Sequence, residues 1–520
     1  LQKCALIKMV LRMSRWPWIV GISLLSGVAL TARLPALTEA LTNDEGSSWR
    51  LIHYPNKDLC FRTGVNVHPP LYFLLLKAWA ALLGASIASL RGLSLCCGVL
   101  CVPLLYAVGS EACYHRLVDP KGSVSGVRAG ALFSALLLTI HVSQIIPAVQ
   151  ARMYALGVLL AGLTAWLLLR ALRARRRWRV WWGSYGVATA AFCYTHYYAL
   201  FSVAAQGVFV GMDLLVHART RDSRETKATV AGYLLALAIA AVLYGPWVPV
   251  LLAQVAEVRE GYWIPSVTAL GFEALALRWT TGWEAPAGLE RSLFLVLGGL
   301  ALVWVAVRGD WAARFFLTQA AVPWGLALGF SLVSGRPILY GRYMAFSHFF
   351  FLGLCGACLT RLPRLLERWL LGIVMAGLCL YGLGRFWERL PGQPAPLAAV
   401  AGVLKDQHAA GDLVLVGERW EVNLLRYYAL EAGIEALDVR CEVPRFPRKG
   451  HLSHIATLEA REVIWREEGW RGEPPPRTWL VNTAGGNASP PVPKLKEAAT
   501  WTLEGEGGVP CTLTLYVRTE

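Results

Sequence analysis

Apolar residues in this chain fall in long runs, and charged residues are confined to the short stretches between them. The segments Trp16 to Leu30, Gly130 to Ile140, Val230 to Val250 and Ser292 to Val307 carry no charge at all. Crossing a hydrocarbon core takes roughly 20 helical residues. Lipid offers no partner for an unpaired backbone group, so each run is read as a helix. The pattern predicts about eleven spans, near 16–37, 92–109, 128–146, 154–171, 180–195, 197–216, 229–250, 290–307, 313–333, 343–360 and 369–387. The piece from Leu71 to Gly84 is apolar but short of the roughly 17 residues a span needs, and is read as an interfacial helix.

The basic residues then set the direction of the chain. With Leu71 to Gly84 on the surface, the loops 110–127, 170–179, 217–228, 308–314 and 361–368 fall on the side of the N-terminus. They hold the clusters Arg170, Arg173, Arg175, Arg176, Arg177, Arg179 and His217, Arg219, Arg221, Arg224, Lys227. The positive-inside rule makes that side the cytoplasm. Were the short piece a span, both clusters would face out. The outer face then receives residues 38–91, the turns at 147–153, 195–197 and 334–342, the segment 251–289 and the C-terminal region.

Composition agrees with this reading. Of 520 residues, 56% are hydrophobic and only 16% charged, too apolar for a soluble chain of several domains. The net charge of +16 resides in interspan loops, so the partner it implies is the bilayer and not nucleic acid. The expected location is a bacterial inner membrane, multi-pass, with a cytoplasmic N-terminus. Lys3, Lys8, Arg12 and Arg15 before an apolar stretch also fit a signal peptide, but the chain that follows is itself membrane-embedded, which favours an uncleaved first span. The initial Leu hints at a start at Met9 or Met13.

From about residue 388 the character changes. Pro391, Pro394 and Pro396 mark a linker. Short β-rich runs (Leu413 to Val416, Trp479 to Val481, Leu513 to Val517) alternate with a helical stretch around Val422 to Leu430. The expected organisation is a transmembrane domain over 1–387, with its first external loop at 38–91, and a small extracytoplasmic α/β domain over 388–520 with no catalytic motif. Most cysteines lie in apolar runs, where a thiol is an ordinary small hydrophobe, and Cys355-x-x-Cys358 is read that way. Cys441 and Cys511 share the external domain, where one disulfide could join them.

Polar residues that interrupt the apolar pattern locate the chemistry, because burying them costs free energy. His141, Gln144, His196 and His348 all fall at or near the outer face. No Asp or Glu lies near the middle of a span, where a coupled transporter needs one. Asp44 and Glu45 follow the first span directly, and His68-Pro69-Pro70-Leu71-Tyr72 introduces the interfacial helix. A solvated acidic pair and an ordinary Pro-Pro helix entry are the structural alternatives. The third outer turn reads Gln150-Ala151-Arg152-Met153-Tyr154, and a late one Arg336-Pro337-Ile338-Leu339-Tyr340-Gly341-Arg342-Tyr343. These outward arginines run against the positive-inside bias, and guanidinium groups match phosphate oxygens with paired hydrogen bonds.

Taken as a set, Asp44-Glu45, His68-Pro69-Pro70-Leu71-Tyr72, Arg91 with Ser94, Gln150-x-Arg152-x-Tyr154, Tyr194-Thr195-His196-Tyr197 and Arg342-Tyr343 resemble the GT-C membrane glycosyltransferases. The branch is glycosyltransferase family 39, near protein O-mannosyltransferases and aminoarabinose transferases, and the resemblance runs through about residues 16–360. It implies an all-α polytopic GT-C domain moving a sugar from a polyprenyl-phosphate donor to an extracytoplasmic glycan, lipid or protein acceptor. Asp44 would be the general base and Glu45 would orient it or the acceptor. Arg152, with Arg336 or Arg342, would hold the departing phosphate. His68, Tyr72, Gln150, Tyr154, His196 and Tyr197 would contact substrate. The resemblance implies no cofactor; the two external histidines near carboxylates could instead hold a divalent ion. His68 stands where the aminoarabinose transferase pattern has a charged pair, which speaks against that sugar. The competing readings are a lipid-sugar flippase or polysaccharide ligase, and a non-catalytic receptor.

Overall fold

A computed structural model describes residues 16–113, 124–174, 177–218, 221–260, 269–282, 309–335, 337–390, 395–443, 458–459, 462–465, 475–483, 495–504 and 510–518. The chain divides into two compact units: residues 1–37, 91–249 and 263–388, and residues 38–90, 250–262 and 389–520.

The first unit is helical. Among the described residues seven helices are long and apolar enough to cross a membrane, including Ile87–Ala112, Tyr154–Arg173, Ala199–Val216, Trp311–Ser334 and Leu365–Arg389. One further pair of helices, Gly126–Ile140 and Val142–Val149, passes the same test only when taken together, and the two meet at a 77° bend at His141. The chain is a multi-pass membrane protein. The expected span at 290–307 lies outside the described residues, as does the chain before residue 16. Two expected spans differ in form. The first helix ends at Thr31 and continues as a 3-10 turn, Leu34–Leu37, and the expected helix 128–146 breaks where the His141 ring accepts the Ser143 N–H in place of a helix carbonyl.

Between lipid-facing helices the hydrophobic effect supplies little, so close backbone approach and polar contacts carry the packing. A Cβ at Gly130 would lie 2.7 Å from the Gly356 carbonyl oxygen, and one at Gly186 would lie 2.6 Å from that of Ala236. Both glycines therefore mark places where helix backbones touch. Tyr185 donates to Gln206 at 2.8 Å, and Gln206 donates to Thr164 at 3.0 Å, linking three helices through buried polar groups.

Charged residues at one end of the bundle pair among themselves. Glu111 takes Arg170 at 3.4 Å and Arg173. Asp213 takes Arg221 at 2.9 Å and the Trp311 indole at 2.8 Å, and Asp310 takes Arg361 at 2.7 Å. All of these lie in or beside the loops assigned to the N-terminal side by their charge.

The second unit joins the loop after the first span to the C-terminal region. Its six-stranded sheet has the order β3-β2-β1-β4-β6-β5, with β1 Leu413–Val416, β2 Asp438–Val443, β3 Val463–Trp465, β4 Arg477–Asn482, β5 Leu495–Leu503 and β6 Cys511–Arg518. The first four strands are parallel and β6 is antiparallel to both β4 and β5. β1 is buried along its whole length, as expected of a central parallel strand. Strand order reverses at β1, where sheets of this kind usually take a phosphate on the following helix N-terminus. Here that N-terminus carries its own acids. Glu418 and Glu421 form a capping box on the helix Arg419–Glu431, and Thr483, just after β4, donates to Glu421.

Cys441 and Cys511 are both free. They sit on β2 and β6, three strands apart, which at about 4.8 Å per strand is far beyond the roughly 7 Å Cα separation a disulfide can bridge. The expected disulfide is therefore absent. The helix Leu71–Leu83 has 13 residues, about 20 Å at 1.5 Å per residue, too short to span a core of about 30 Å. One side buries Tyr72, Phe73 and Leu76, while Leu75, Leu82 and Leu83 are exposed.

Candidate active site

In the first unit three separate turns bring one basic and aromatic cluster together. Arg152 precedes the helix Tyr154–Arg173 and is buried; its carbonyl accepts from Ser94 Oγ at 3.1 Å, fixing the turn on the helix Ile87–Ala112. His196 lies in the turn between the helices Trp178–Cys193 and Ala199–Val216, and Arg342 in the 3-10 turn Gly341–Met344. The His196 ring centroid is 5.1 Å from that of Tyr343, 5.4 Å from Tyr198 and 5.8 Å from Tyr154. The Arg342 guanidinium carbon lies 5.8 Å from the Tyr154 ring and 5.1 Å from the Tyr340 ring.

His196 has a defined protonation. Burial, and after it the positive charges of Arg152 and Arg342, bring its pKa down to about 3. Its Nδ1 accepts the Tyr198 N–H at 3.1 Å, so the neutral ring carries its proton on Nε2. The cluster thus combines two cations with a neutral donor, a set suited to an anion with several oxygens. Tyr197 turns elsewhere and accepts the Trp247 indole N–H at 3.0 Å, and Gln150 is half-buried at the head of the Arg152 turn. Arg336 lies outside the described residues.

A second polar group sits at the bend of the broken span. His141 Nδ1 accepts from Ser143 N and His348 Nδ1 from Gln144, so each ring donates through Nε2. Both donate to the Trp279 carbonyl, at 3.1 and 2.9 Å, which holds the end of the helix Ala269–Thr281. These histidines are structural donors. Arg33 is equally buried and donates to the carbonyls of Ala29, Thr139 and Gln144, tying the end of the first span to the same bend. Arg91 donates to Ala36 and Leu37, holding the turn that follows.

In the second unit Asp44 and Glu45 open the helix Asn43–Ile52 and have different tasks. Glu45 is fully buried and forms a capping box, accepting from Thr42 N at 3.0 Å and from Thr42 Oγ1 at 3.1 Å. Asp44 is half-buried at the second helical position, where the helix dipole favours a carboxylate. His68 is half-buried, 6.4 Å from Phe73 between ring centroids, and follows Val67 at φ +59°, a conformation that a β-branched residue rarely adopts. Tyr72 is fully buried. Among the described residues no three His, Cys, Asp or Glu side chains group as metal ligands.

No family model matches the sequence, and no curated protein matches it. Solved structures do. ArnT from Cupriavidus metallidurans in the apo state superposes over 96% of this chain and 98% of its own, with a TM-score of 0.61 at 14% identity. The chain has the GT-C fold. The same protein bound to undecaprenyl phosphate gives a TM-score of 0.56 at 14% identity over 96% and 98%. The oligosaccharyltransferase AglB from Archaeoglobus fulgidus, in complex with an inhibitory peptide and a dolichol-phosphate, gives 0.50 at 11% identity over 80% of this chain and 64% of its own. The first superposition covers nearly the whole length of both chains, so both units belong to the GT-C comparison. Tyr340 and Tyr343, which the late turn carries beside Arg342, frame the cluster. Tyr198 and the buried Arg33 had no assigned role in the sequence; for Tyr198 the signal was its place two positions after His196, and for Arg33 there was none.

Proposed function

We propose that this protein is an integral membrane glycosyltransferase that moves a sugar from a polyprenyl-phosphate donor to an extracytoplasmic acceptor with inversion. The observation that carries this reading is the joint placement of Arg152, Arg342 and neutral His196 among tyrosines in a GT-C fold. Two structural neighbours are described with a lipid phosphate bound, undecaprenyl phosphate in one and dolichol-phosphate in the other. The acceptor is a glycan, lipid or protein.

The acceptor hydroxyl attacks the anomeric carbon opposite the phosphate, and its proton passes to the Asp44 carboxylate. The bond from the anomeric carbon to the phosphate oxygen breaks, and its electron pair stays on that oxygen. A phosphodiester with one negative charge becomes a monoester approaching two, since the second phosphate pKa is about 6. Arg152 and Arg342 bind that added charge more tightly than the starting diester, which lowers the barrier. His196 donates from Nε2 without exchanging its proton. Glu45 keeps the Asp44 helix capped.

We assign the cell location from charge placement: a bacterial inner membrane, the N-terminus and the Arg-rich loops cytoplasmic, and residues 388–520 extracytoplasmic. The test is binding of undecaprenyl phosphate to purified protein, wild type against Arg152→Ala and Arg342→Ala. Each variant is expected to bind at least tenfold more weakly. Equal binding by all three would overturn the phosphate assignment.

A further inference from the structure

The helix that bears Asp44 is held by the C-terminal region through a charge triad centred on one buried carboxylate. Glu462, just before β3, is fully buried, and its Oε1 takes Arg50 at 3.0 Å and Arg426 at 2.9 Å. Arg50 belongs to the helix Asn43–Ile52, and Arg426 to the helix Arg419–Glu431. The other carboxylate oxygen of Glu462 accepts from Glu459 N at 2.7 Å, and Glu459 makes a second bond to Arg50 at 3.1 Å. Arg62, on the neighbouring helix Asn56–Val65, donates to the Leu458 carbonyl at 2.9 Å and lies 3.8 Å over the Tyr54 ring. Leu458, Glu459 and Glu462 are therefore held by two arginines of the first loop, Arg50 and Arg62.

Packing repeats the connection. Trp49 meets Tyr427 edge to face at 5.6 Å, Tyr428 Oη accepts the Leu41 N–H at 2.9 Å, and Gly46 rests against Leu424. Exposed ion pairs contribute little, but the buried Glu462 carboxylate fixes geometry, because without its arginines it is an uncompensated charge. Arg50 lies six residues after Asp44 on a ten-residue helix, so the direction of the whole helix is set from its far end.

We infer that Glu462, through Arg50, is a positioning residue for the transfer reaction, and that the C-terminal region serves as the mount of the Asp44 helix. This rests on the reading of Asp44 as general base. Helix Asn43–Ile52 is short and, by length, marginal as an independent helix. Without the triad it would sample orientations in which the carboxylate misses the acceptor hydroxyl, and a displacement of about 1 Å can cost a hundredfold in rate.

The test uses the full-length protein in lipid nanodiscs, with Glu462→Gln, the milder Tyr428→Phe and Asp44→Asn. Amide hydrogen exchange over residues 43–52 reports helix mounting, and transfer from a panel of labelled undecaprenyl-phosphate hexoses and pentoses reports catalysis. In Glu462→Gln, exchange over 43–52 should accelerate at least tenfold while the helix Tyr154–Arg173 is unchanged. Its kcat should fall at least tenfold with donor KM within twofold, and Tyr428→Phe should move both readouts the same way by a smaller factor. Unchanged exchange in Glu462→Gln would overturn the inference, as would faster exchange with full kcat while Asp44→Asn is inactive. Full activity of Asp44→Asn would instead overturn the base assignment and, with it, the positioning role, whatever the exchange data show about the triad.

Discussion

The contact between Gly46 and Leu424 allows a quantitative prediction about how the Asp44 helix is seated. A Cβ at position 46 would lie 2.8 Å from Leu424 Cδ2, 3.0 Å from its Cγ and 3.4 Å from its backbone nitrogen. Carbon atoms prefer about 3.5–4.0 Å, so the overlap is roughly 0.5–1 Å on two atoms and the two helices must part or Leu424 must leave its rotamer. Overpacking of this degree costs about 1–3 kcal/mol, partly offset by the ~0.5–1 kcal/mol that Ala gains over Gly within a helix. Gly46→Ala should therefore weaken the seating of residues 43–52 by about 1 kcal/mol. Leu424→Ala on its own should cost about 2–4 kcal/mol, because Leu424 is buried. It also removes both clashing carbons, so in the double variant the alanine at 46 fits and the costs do not add. Local opening free energies from native-state hydrogen exchange over residues 43–52 measure the cycle directly. A coupling of about 1 kcal/mol or more in favour of the double variant is expected. Additivity within about 0.3 kcal/mol would refute the packing argument.

Three further outcomes follow from individual residues. His196 is neutral when folded, with its pKa brought down to about 3, so stability is full above pH 6.5, the unfolded value, and falls as pH drops from there toward 3. At about 1.4 kcal/mol per pH unit, thermal unfolding should show wild type losing about 2 kcal/mol relative to His196→Gln between pH 7.5 and 5.0; parallel pH curves would refute this. Gly130→Ala drives a methyl against the Gly356 carbonyl and should lower the melting temperature by several degrees, whereas Gly211→Ala, with open space at its Cβ, should not. Val67 at φ +59° should be relieved by Val67→Asn, which tolerates that region, giving a stability gain of up to about 1 kcal/mol in thermal unfolding; a loss would argue against strain there.

Most of the helical fold was legible because lipid imposes a simple rule: a run of apolar residues long enough to cross the core folds as a helix. The piece at 71–83 was readable as a helix too short to span, and the structure forms it as a 13-residue helix. What apolarity could not reveal was the break at His141, since a histidine that caps a helix and one within it look alike in sequence. Of the site, Arg152, Tyr154, His196 and Arg342 came together as their clustered polarity suggested, while Tyr197 bonds Trp247 away from His196. Glu45 read as a partner of Asp44, yet Thr42-x-x-Glu45 is also a capping-box pattern, and the structure uses it so. The Arg50–Glu462–Arg426 triad was invisible because its members lie about 380 and 410 residues from the loop, and no local spacing announces a long-range ion pair. Nor could the Cys441 and Cys511 pairing be judged without the strand order.

The proposed role of Asp44 as base in sugar transfer from a polyprenyl phosphate is open to direct measurement. Its most direct test is a transfer assay with the purified full-length protein, a panel of labelled undecaprenyl-phosphate sugars and a bacterial envelope extract as acceptor source. Wild type is expected to release undecaprenyl phosphate from at least one donor and to transfer its sugar to the extract, with Asp44→Asn slower by at least a hundredfold at unchanged donor binding. Release at the wild-type rate by Asp44→Asn would contradict the account.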